Sequence, residues 1–444
     1  MSLPFAPAPA PVRDVPARAP DAAAVAQRYR DVRARSQLLA MPLSPEDAMV
    51  QSMDSTSPAK WHLAHTSWFF ECFVLGLQRG YAPVHPDWDY LFNSYYHSVG
   101  AMHARPQRGL LSRPGLSEVL AYRDAIDARI AHGFAAGDFD QEALRRIMLG
   151  THHEQQHQEL LLTDIKHALW CNPLRPAYRD DLPQRHGGAT PLHWIASGER
   201  LAKIGAPAWP AGGAFAYDNE SPRHRVLVPA HALASRPVSN AEYRAFVDDD
   251  GYRTATLWMS EGWSRVQAEG WSRPLYWDQD LAGEFTLGGM RALDAHAPVC
   301  HLSYFEADAF ARWAGARLPT ETEWESHAAT QPVEGNFADD DLLHPASRER
   351  PLGAAPTAAA RPGLQQLFGD VWEWTSSAYS SYPGFRALPG ALGEYNGKFM
   401  CGQWVLRGGS CATPRGHMRA SYRNFFYPPD RWQFSGLRLA KDPA

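Results

Sequence analysis

The sequence predicts an α + (α+β) chain: an N-terminal four-helix bundle, then an irregular region of short strands, turns and scattered helices. Three observations lead there. Up to about residue 176, apolar residues recur at helical spacing in four segments with long connections. Most of the sixteen tryptophans fall after residue 190, in short Gly- and Trp-rich segments typical of a loop-dominated fold. With 444 residues, two domains are the natural expectation.

Residues 1–20 are rich in Pro and Ala, cannot build a core and read as a disordered tail. From Asp21 to about Ala40, Val25, Tyr29 and Val32 are spaced i, i+4, i+7 on one helix face. A second helix is expected from Ser57-Pro58, a capping residue followed by proline at the first helical position, to about Leu77. Trp61, Ala64, His65, Trp68 and Phe69 form its apolar stripe. His62, three residues before His65, shares part of that face. A less regular stretch holds Tyr95 and Tyr96, then Arg105 and Arg108. A third helix is expected over about 116–134, and a fourth from about Gln141 to Trp170 with Asp140 as its cap. Pro173 and Pro176 end it.

Residues 177–195 read as a polar linker between a bundle over 21–176 and a second domain over 196–444. In that second domain Val226-Leu227-Val228 is strand-like, while 239–248 and 303–314 are amphipathic helices. After Leu318 the pattern reads mostly as loop.

Composition narrows the function classes. The chain is 45% hydrophobic and 20% charged, with a net charge of −5. An acidic balance gives no reason to expect nucleic acid. No apolar run approaches a membrane span, and Pro, Ala and Arg interrupt any secretory core at the N-terminus. Five widely spaced cysteines without a C-x-x-C pair argue against a disulfide framework or structural zinc, and fit a cytoplasmic location.

The stretch with most chemistry in it is His153 to Glu159. His153 and His157 are four apart, one helical turn, so both imidazoles can reach one metal ion. They align with Leu149 and Leu160 on the inward stripe. Glu159 points elsewhere, roughly 200° round from His157. The string is therefore not a two-His-one-carboxylate triad, and a third ligand must come from another helix. His65 is aimed into the bundle and would complete a three-histidine site. The same pattern also fits partly buried histidines without a metal.

Four motifs then carry a resemblance: Pro237 to Tyr243, Ala316 to Glu325, Gly369 to Trp374, and Leu406 to Ser410. Together they resemble the formylglycine-generating-enzyme family, a variant of the C-type-lectin-like fold. The first half is similar to the DinB-like metal-binding bundle, in which three histidines hold the metal. Both in this order resemble the ergothioneine sulfoxide synthases and their selenoneine-synthase relatives. These are non-haem iron enzymes that join a thiol or selenol donor to the imidazole C2 of hercynine, with O2.

That resemblance implies Fe(II) on His65, His153 and His157. It implies a hercynine contact from Gln156 and a trimethylammonium pocket at Asn424, Phe425 and Phe426. A quaternary ammonium donates no N–H hydrogen bond, so aromatic faces suit it. It implies catalytic phenols at Tyr95 and Tyr96, and a donor-carboxylate clamp at Arg105 and Arg108, which a selenosugar donor would not need. Two features depart from the pattern. Only Cys411 follows the Gly-Gly-Ser, with Cys401 ten residues before it, so the cysteine pair of a formylglycine-generating enzyme is missing. Gly402 stands where ergothioneine relatives carry asparagine. Two other readings remain at this point: a metal-dependent thiol transferase without O2 chemistry, and a non-catalytic lectin-like binding module.

Overall fold

The computed structural model describes residues 21–348 and 363–443. The expected tail, 1–20, lies outside them.

Helix α1 (Ala22–Ala40) begins where the Asp21 carboxylate caps it, accepting from Ala23 N. Helix α2 (Ala59–Phe73) starts one residue later than expected. Pro58 takes the cap position without a side-chain cap, and the Ser57 hydroxyl is engaged elsewhere, accepting from Arg108 Nη1 at 2.9 Å. The α-helix also ends before Leu77; a 3-10 turn takes Leu75–Leu77. Helix α3 (Trp88–Phe92) is short and interrupts the stretch expected to be irregular. Helices α4 (Leu116–Ala136) and α5 (Gln141–Cys171) follow. Asp140 caps α5, accepting from Ala143 N at 2.8 Å.

Helix α2 packs against α1, α4 and α5, and every residue on it except Cys72 is buried. A helix buried on all sides carries no polar outer stripe, and its few polar side chains need partners. Ser67 receives Arg33 Nη2 at 3.0 Å, for example. Gly150 brings α5 onto α2: a Cβ there would lie 2.5 Å from Phe70 Cε1. Glycine weakens a helix interior by about 1 kcal/mol against alanine, so close packing is its reason here.

The C-terminal region is built from short elements. Strands β1 (Trp194–Ser197), β2 (Arg200–Ile204), β3 (His224–Val228) and β4 (His231–Ala234) lead into α6 (Asn240–Asp248) and α7 (Ser260–Glu269). Then come β5 (Gly283–Thr286), β6 (Gly289–Ala292) and α8 (Tyr304–Trp313). Most of the described residues after Leu318 lie outside helices and strands, as expected, but short regular elements recur among them. That segment holds α9 (Glu321–Ala328), β7 (Trp372–Ala378), α10 (Glu394–Lys398), β8 (Trp404–Arg407), β9 (Asn424–Phe426), β10 (Ser435–Gly436) and β11 (Ala440–Lys441). Buried charge hides the strands: Glu373 on β7 pairs with Arg438 at 2.7 Å, and Arg407 on β8 pairs with Glu325.

One sheet has the order β1-β4-β11; a second is β10-β7-β8-β9, with β10 parallel to β7; β2 pairs with β3 and β5 with β6 as two-stranded sheets. The pairing of β8 with β9 puts Val405 opposite Phe425 and Leu406 opposite Asn424. The apolar core is continuous between the halves, running from Trp61, Trp68 and Phe69 through Tyr96 and Tyr217 to Trp324 and Trp374. The stretch 177–195 is packed at its start, where buried Tyr178 donates to Leu39 O at 2.6 Å.

Candidate metal centre and substrate cavity

His65, His153 and His157 converge. Each offers a ring nitrogen, and these atoms lie within 4.8 Å of one another. His65 Nε2 faces His153 Nε2 at 3.3 Å. Helical spacing fixes the His65 ring: Trp61, one turn before, stacks on it at 4.6 Å, and Trp68, one turn after, at 5.5 Å. Its Nδ1 donates to Phe92 O at 2.6 Å, which leaves Nε2 as the free lone pair. His153 packs on Phe69 at 4.6 Å, and its buried Nδ1 has no hydrogen-bond partner. The Nδ1 of His157 meets His62 Nδ1 at 2.8 Å. Burial, then the His153 imidazole, holds both His65 and His157 well below their ordinary pKa; burial pushes His153 down to about 4. All three are therefore neutral at pH 7, the form in which imidazole binds a metal. Three neutral nitrogens aimed at one point fit a divalent cation that leaves further positions open.

Glu159 confirms the helix geometry. It turns away from the histidines and enters the C-terminal region, accepting from Trp372 Nε1, Ser410 Oγ and Thr413 Oγ1.

All the sequence-predicted site residues line one cavity between the helices and the C-terminal region. Gln156 Nε2 donates to Tyr422 OH at 2.7 Å, and that hydroxyl also meets His417 Nε2 at 3.1 Å. Phe425 stacks on Tyr379 at 4.1 Å and meets Phe399 at 5.7 Å. Phe426 turns the opposite way, as the next strand residue must, and meets Trp432 edge-on at 5.7 Å. Asn424 Oδ1 accepts from Phe425 N at 2.9 Å.

The two tyrosines separate. Tyr96 is buried against Trp68 and Phe73, and burial raises its pKa. Tyr95 adopts a left-handed φ of 68°, its ring meets Phe399, and its hydroxyl accepts from Arg105 Nη1 at 2.7 Å. Arg105 also donates to Ser55 O. Arg108 is buried, lies 3.4 Å over the Trp61 ring and donates to Ser57 Oγ and Ser94 Oγ, each at 2.9 Å. Among the described residues, no carboxylate hydrogen-bonds to either arginine.

Sequence reasoning missed four lining residues that the cavity needs: Tyr422, Tyr395, Phe399 and Asp430. Tyr422 sits two residues before Asn424, so its motif was visible but its role was not. Asp430 follows two prolines in a turn and carries no local signal.

Comparison with known proteins matches this geometry. Residues 200–443 match the Sulfatase-modifying factor enzyme 1-like domain. The hercynine oxygenase of Mycolicibacterium smegmatis is 34% identical over 408 residues, covering 87% of this chain and 91% of that protein. The chain belongs to the hercynine oxygenase family. The Mycobacterium tuberculosis hercynine oxygenase is 33% identical over the same coverage of each chain. The formylglycine-generating enzyme of Streptomyces coelicolor is 30% identical but covers only 45% of this chain and 73% of its own length. The hercynine oxygenase relatives thus extend into the helices that carry the three histidines, and the formylglycine-generating enzyme covers a much smaller share of the chain.

Proposed function

We propose that this chain is a non-haem Fe(II)- and O2-dependent enzyme that joins a thiol or selenol donor to C2 of the hercynine imidazole. The division we adopt is a DinB-like bundle over 21–176, a linker over 177–195 and the second domain over 196–444. The observation that carries the reading is the cavity itself. Three neutral imidazoles from α2 and α5, His65 and His153 buried and His157 half-buried, open onto an aromatic wall from β9.

His65, His153 and His157 would hold iron, which when bound supplies O2 activation and a coordination position for the donor sulfur or selenium. The overall change balances as donor–H plus imidazole C2–H plus O2, giving the sulfoxide or selenoxide and one water. The C–chalcogen bond replaces the C2–H bond; one oxygen stays on the chalcogen and the other leaves with both hydrogens.

The chain's own residues orient the substrate and move protons. Gln156, held by Tyr422, contacts the hercynine imidazole beside His157. Asn424, Phe425 and Phe426 surround the trimethylammonium group with ring faces and a carbonyl dipole. The phenols of Tyr95 and Tyr96 supply the proton at the reacting centre. The surrounding rings keep bulk water out, which strengthens each polar contact inside.

How the arginines are used bears on the donor. Arg108 is spent on Trp61, Ser57 and Ser94, and Arg105 on Tyr95 and Ser55. Asp430 lines the same cavity. Each guanidinium still keeps a buried Nε–H without a partner among the described residues. A carboxylate-bearing donor such as γ-glutamylcysteine would use that charge, and a selenosugar would leave it unused, so the assay below decides the donor.

The test is an aerobic assay of the iron-loaded protein with hercynine and cysteine, γ-glutamylcysteine or a selenosugar, followed by mass spectrometry. O2 uptake with a product bonded at C2 is expected. No O2 uptake with any donor sinks the reading, and turnover without O2 would favour a thiol transferase.

A further inference from the structure

We infer that His62 and Asp164 are positioning residues for His157, forming a carboxylate–imidazole–imidazole relay that ends on the proposed metal. This rests on the metal reading above. His62 Nε2 lies 3.1 Å from Asp164 Oδ2, and His62 Nδ1 lies 2.8 Å from His157 Nδ1. His62 is not one of the converging ligands, because both of its nitrogens are already engaged.

The hydrogen positions follow from donor counting. An ionised carboxylate only accepts, so Nε2 of His62 carries its hydrogen. In the neutral ring Nδ1 is then the lone pair, and it accepts from His157 Nδ1–H. His157 is left with its lone pair on Nε2, the nitrogen free to face His65 and His153. Asp164 thus selects the His157 tautomer through an intervening ring.

The relay is anchored at both ends. Asp164 lies seven residues beyond His157 on α5, two turns on along the same face. Its Oδ2 also accepts from Ser57 N at 2.8 Å, in the loop that opens α2. His62 lies three residues before His65 on α2. The relay therefore ties the two ligand-bearing helices together beside the site. The three ligands differ in support: His65 donates to a backbone carbonyl, His153 Nδ1 has no partner, and His157 has a carboxylate-backed one. Metal-binding histidines commonly donate their second N–H to an acceptor, and losing that acceptor costs about 10–100-fold in affinity or activity.

The experiment measures Co(II) affinity by chelator competition, with the Co(II) ligand-field spectrum as a second readout. It compares the whole chain with His62→Phe, His62→Gln and Asp164→Asn. His62→Phe removes the acceptor and is expected to weaken binding about 10–100-fold and shift the spectrum. His62→Gln keeps an oxygen that can accept from His157 N–H and should recover most of the affinity. Asp164→Asn keeps the Ser57 contact and an acceptor oxygen but loses the charge, and should weaken binding a few-fold. This variant carries the test if His62→Phe does not fold. Wild-type affinity and spectrum in His62→Phe, or in Asp164→Asn where that variant stands in, overturns the inference. So does equal loss in the Phe and Gln variants, which would mean packing alone. If the unmodified protein binds no Co(II) or Fe(II), the metal reading itself falls; that result is separate from an unchanged His62→Phe.

Discussion

Glu159 Oε1 accepts from Trp372 Nε1 at 2.6 Å, joining α5 to β7 through a fully buried contact. The same carboxylate takes Ser410 Oγ at 2.7 Å and Thr413 Oγ1 at 2.8 Å. Among the described residues it has no cationic partner, and burial raises its pKa. Neutral donors alone hold it. Ser410 and Thr413 can turn to one another, 3.3 Å apart, but the indole N–H has no alternative. Glu159→Ala is therefore expected to cost about 2–4 kcal/mol, from the stranded indole and the lost hydrogen bonds. Glu159→Gln, which keeps one acceptor oxygen, should lose less than half of that. Denaturant unfolding checks both, and an alanine variant as stable as the parent would refute the assignment.

Tyr422 links the substrate cavity to His417. Tyr422→Phe removes the acceptor for Gln156 and leaves the ring packing in place. One hydrogen bond of about 1.4 kcal/mol corresponds to tenfold, so kcat/KM for hercynine should fall about tenfold. Metal content should not change. Loss of metal in this variant would show that Tyr422 acts on the ligands and not on Gln156.

Phe425 is proposed above as a ring wall for the substrate cation. Phe425→Leu keeps an apolar side chain and removes the π face. Cation–π contacts are worth about 0.5–2 kcal/mol, so the KM for hercynine should rise between about 2- and 30-fold. Binding of histidine, which lacks the three methyl groups, should change less. Equal losses for both compounds would count against the pocket.

Burial pushes the Asp430 carboxyl up to about 7. Its folded pKa is thus above its unfolded value of 3.8, so folding favours the protonated form. That contribution to stability is complete below about pH 4 and is lost as pH rises through 7. Asp430→Asn keeps an acceptor for Tyr427 N and removes the titration. Relative to the parent, the variant should gain in melting temperature between pH 5 and pH 8. Parallel curves for the two proteins over that range would rule this out.

What the sequence reveals depends on whether a residue's partner is near in the chain. Asp21 and Asp140 sit directly before the helices they cap, so α1 and α5 are legible to within a residue or two. His153 and His157 are one turn apart, and His65 lies on a clear apolar stripe, so the converging cluster is legible too. The start of α2 is misread because the Ser57 hydroxyl is taken by Arg108, far along the chain, and not by the helix end. Helix α9 has a Thr320–Glu323 capping box, but it is only eight residues long and too short for a periodic pattern to stand out. Strand β7 carries Glu373 in the core, neutralised by Arg438, and no local pattern announces that pair. In the cavity, the unread residues are those whose role depends on distant contacts, such as Tyr422 and Asp430.

Gly150 lies three residues before His153, with the Phe70 ring filling the space a side chain would take. Helix α5 supplies two of the converging nitrogens and α2 the third. The absent methyl group would therefore be a calibration of the proposed metal centre: it sets how closely the two helices approach, and with that which ion radius the three nitrogens could close on. A residue that touches neither metal nor substrate would then govern metal selectivity. Gly150→Ala should act as a shim, weakening binding of small divalent ions relative to larger ones, readable by comparing Co(II) with Mn(II) affinity.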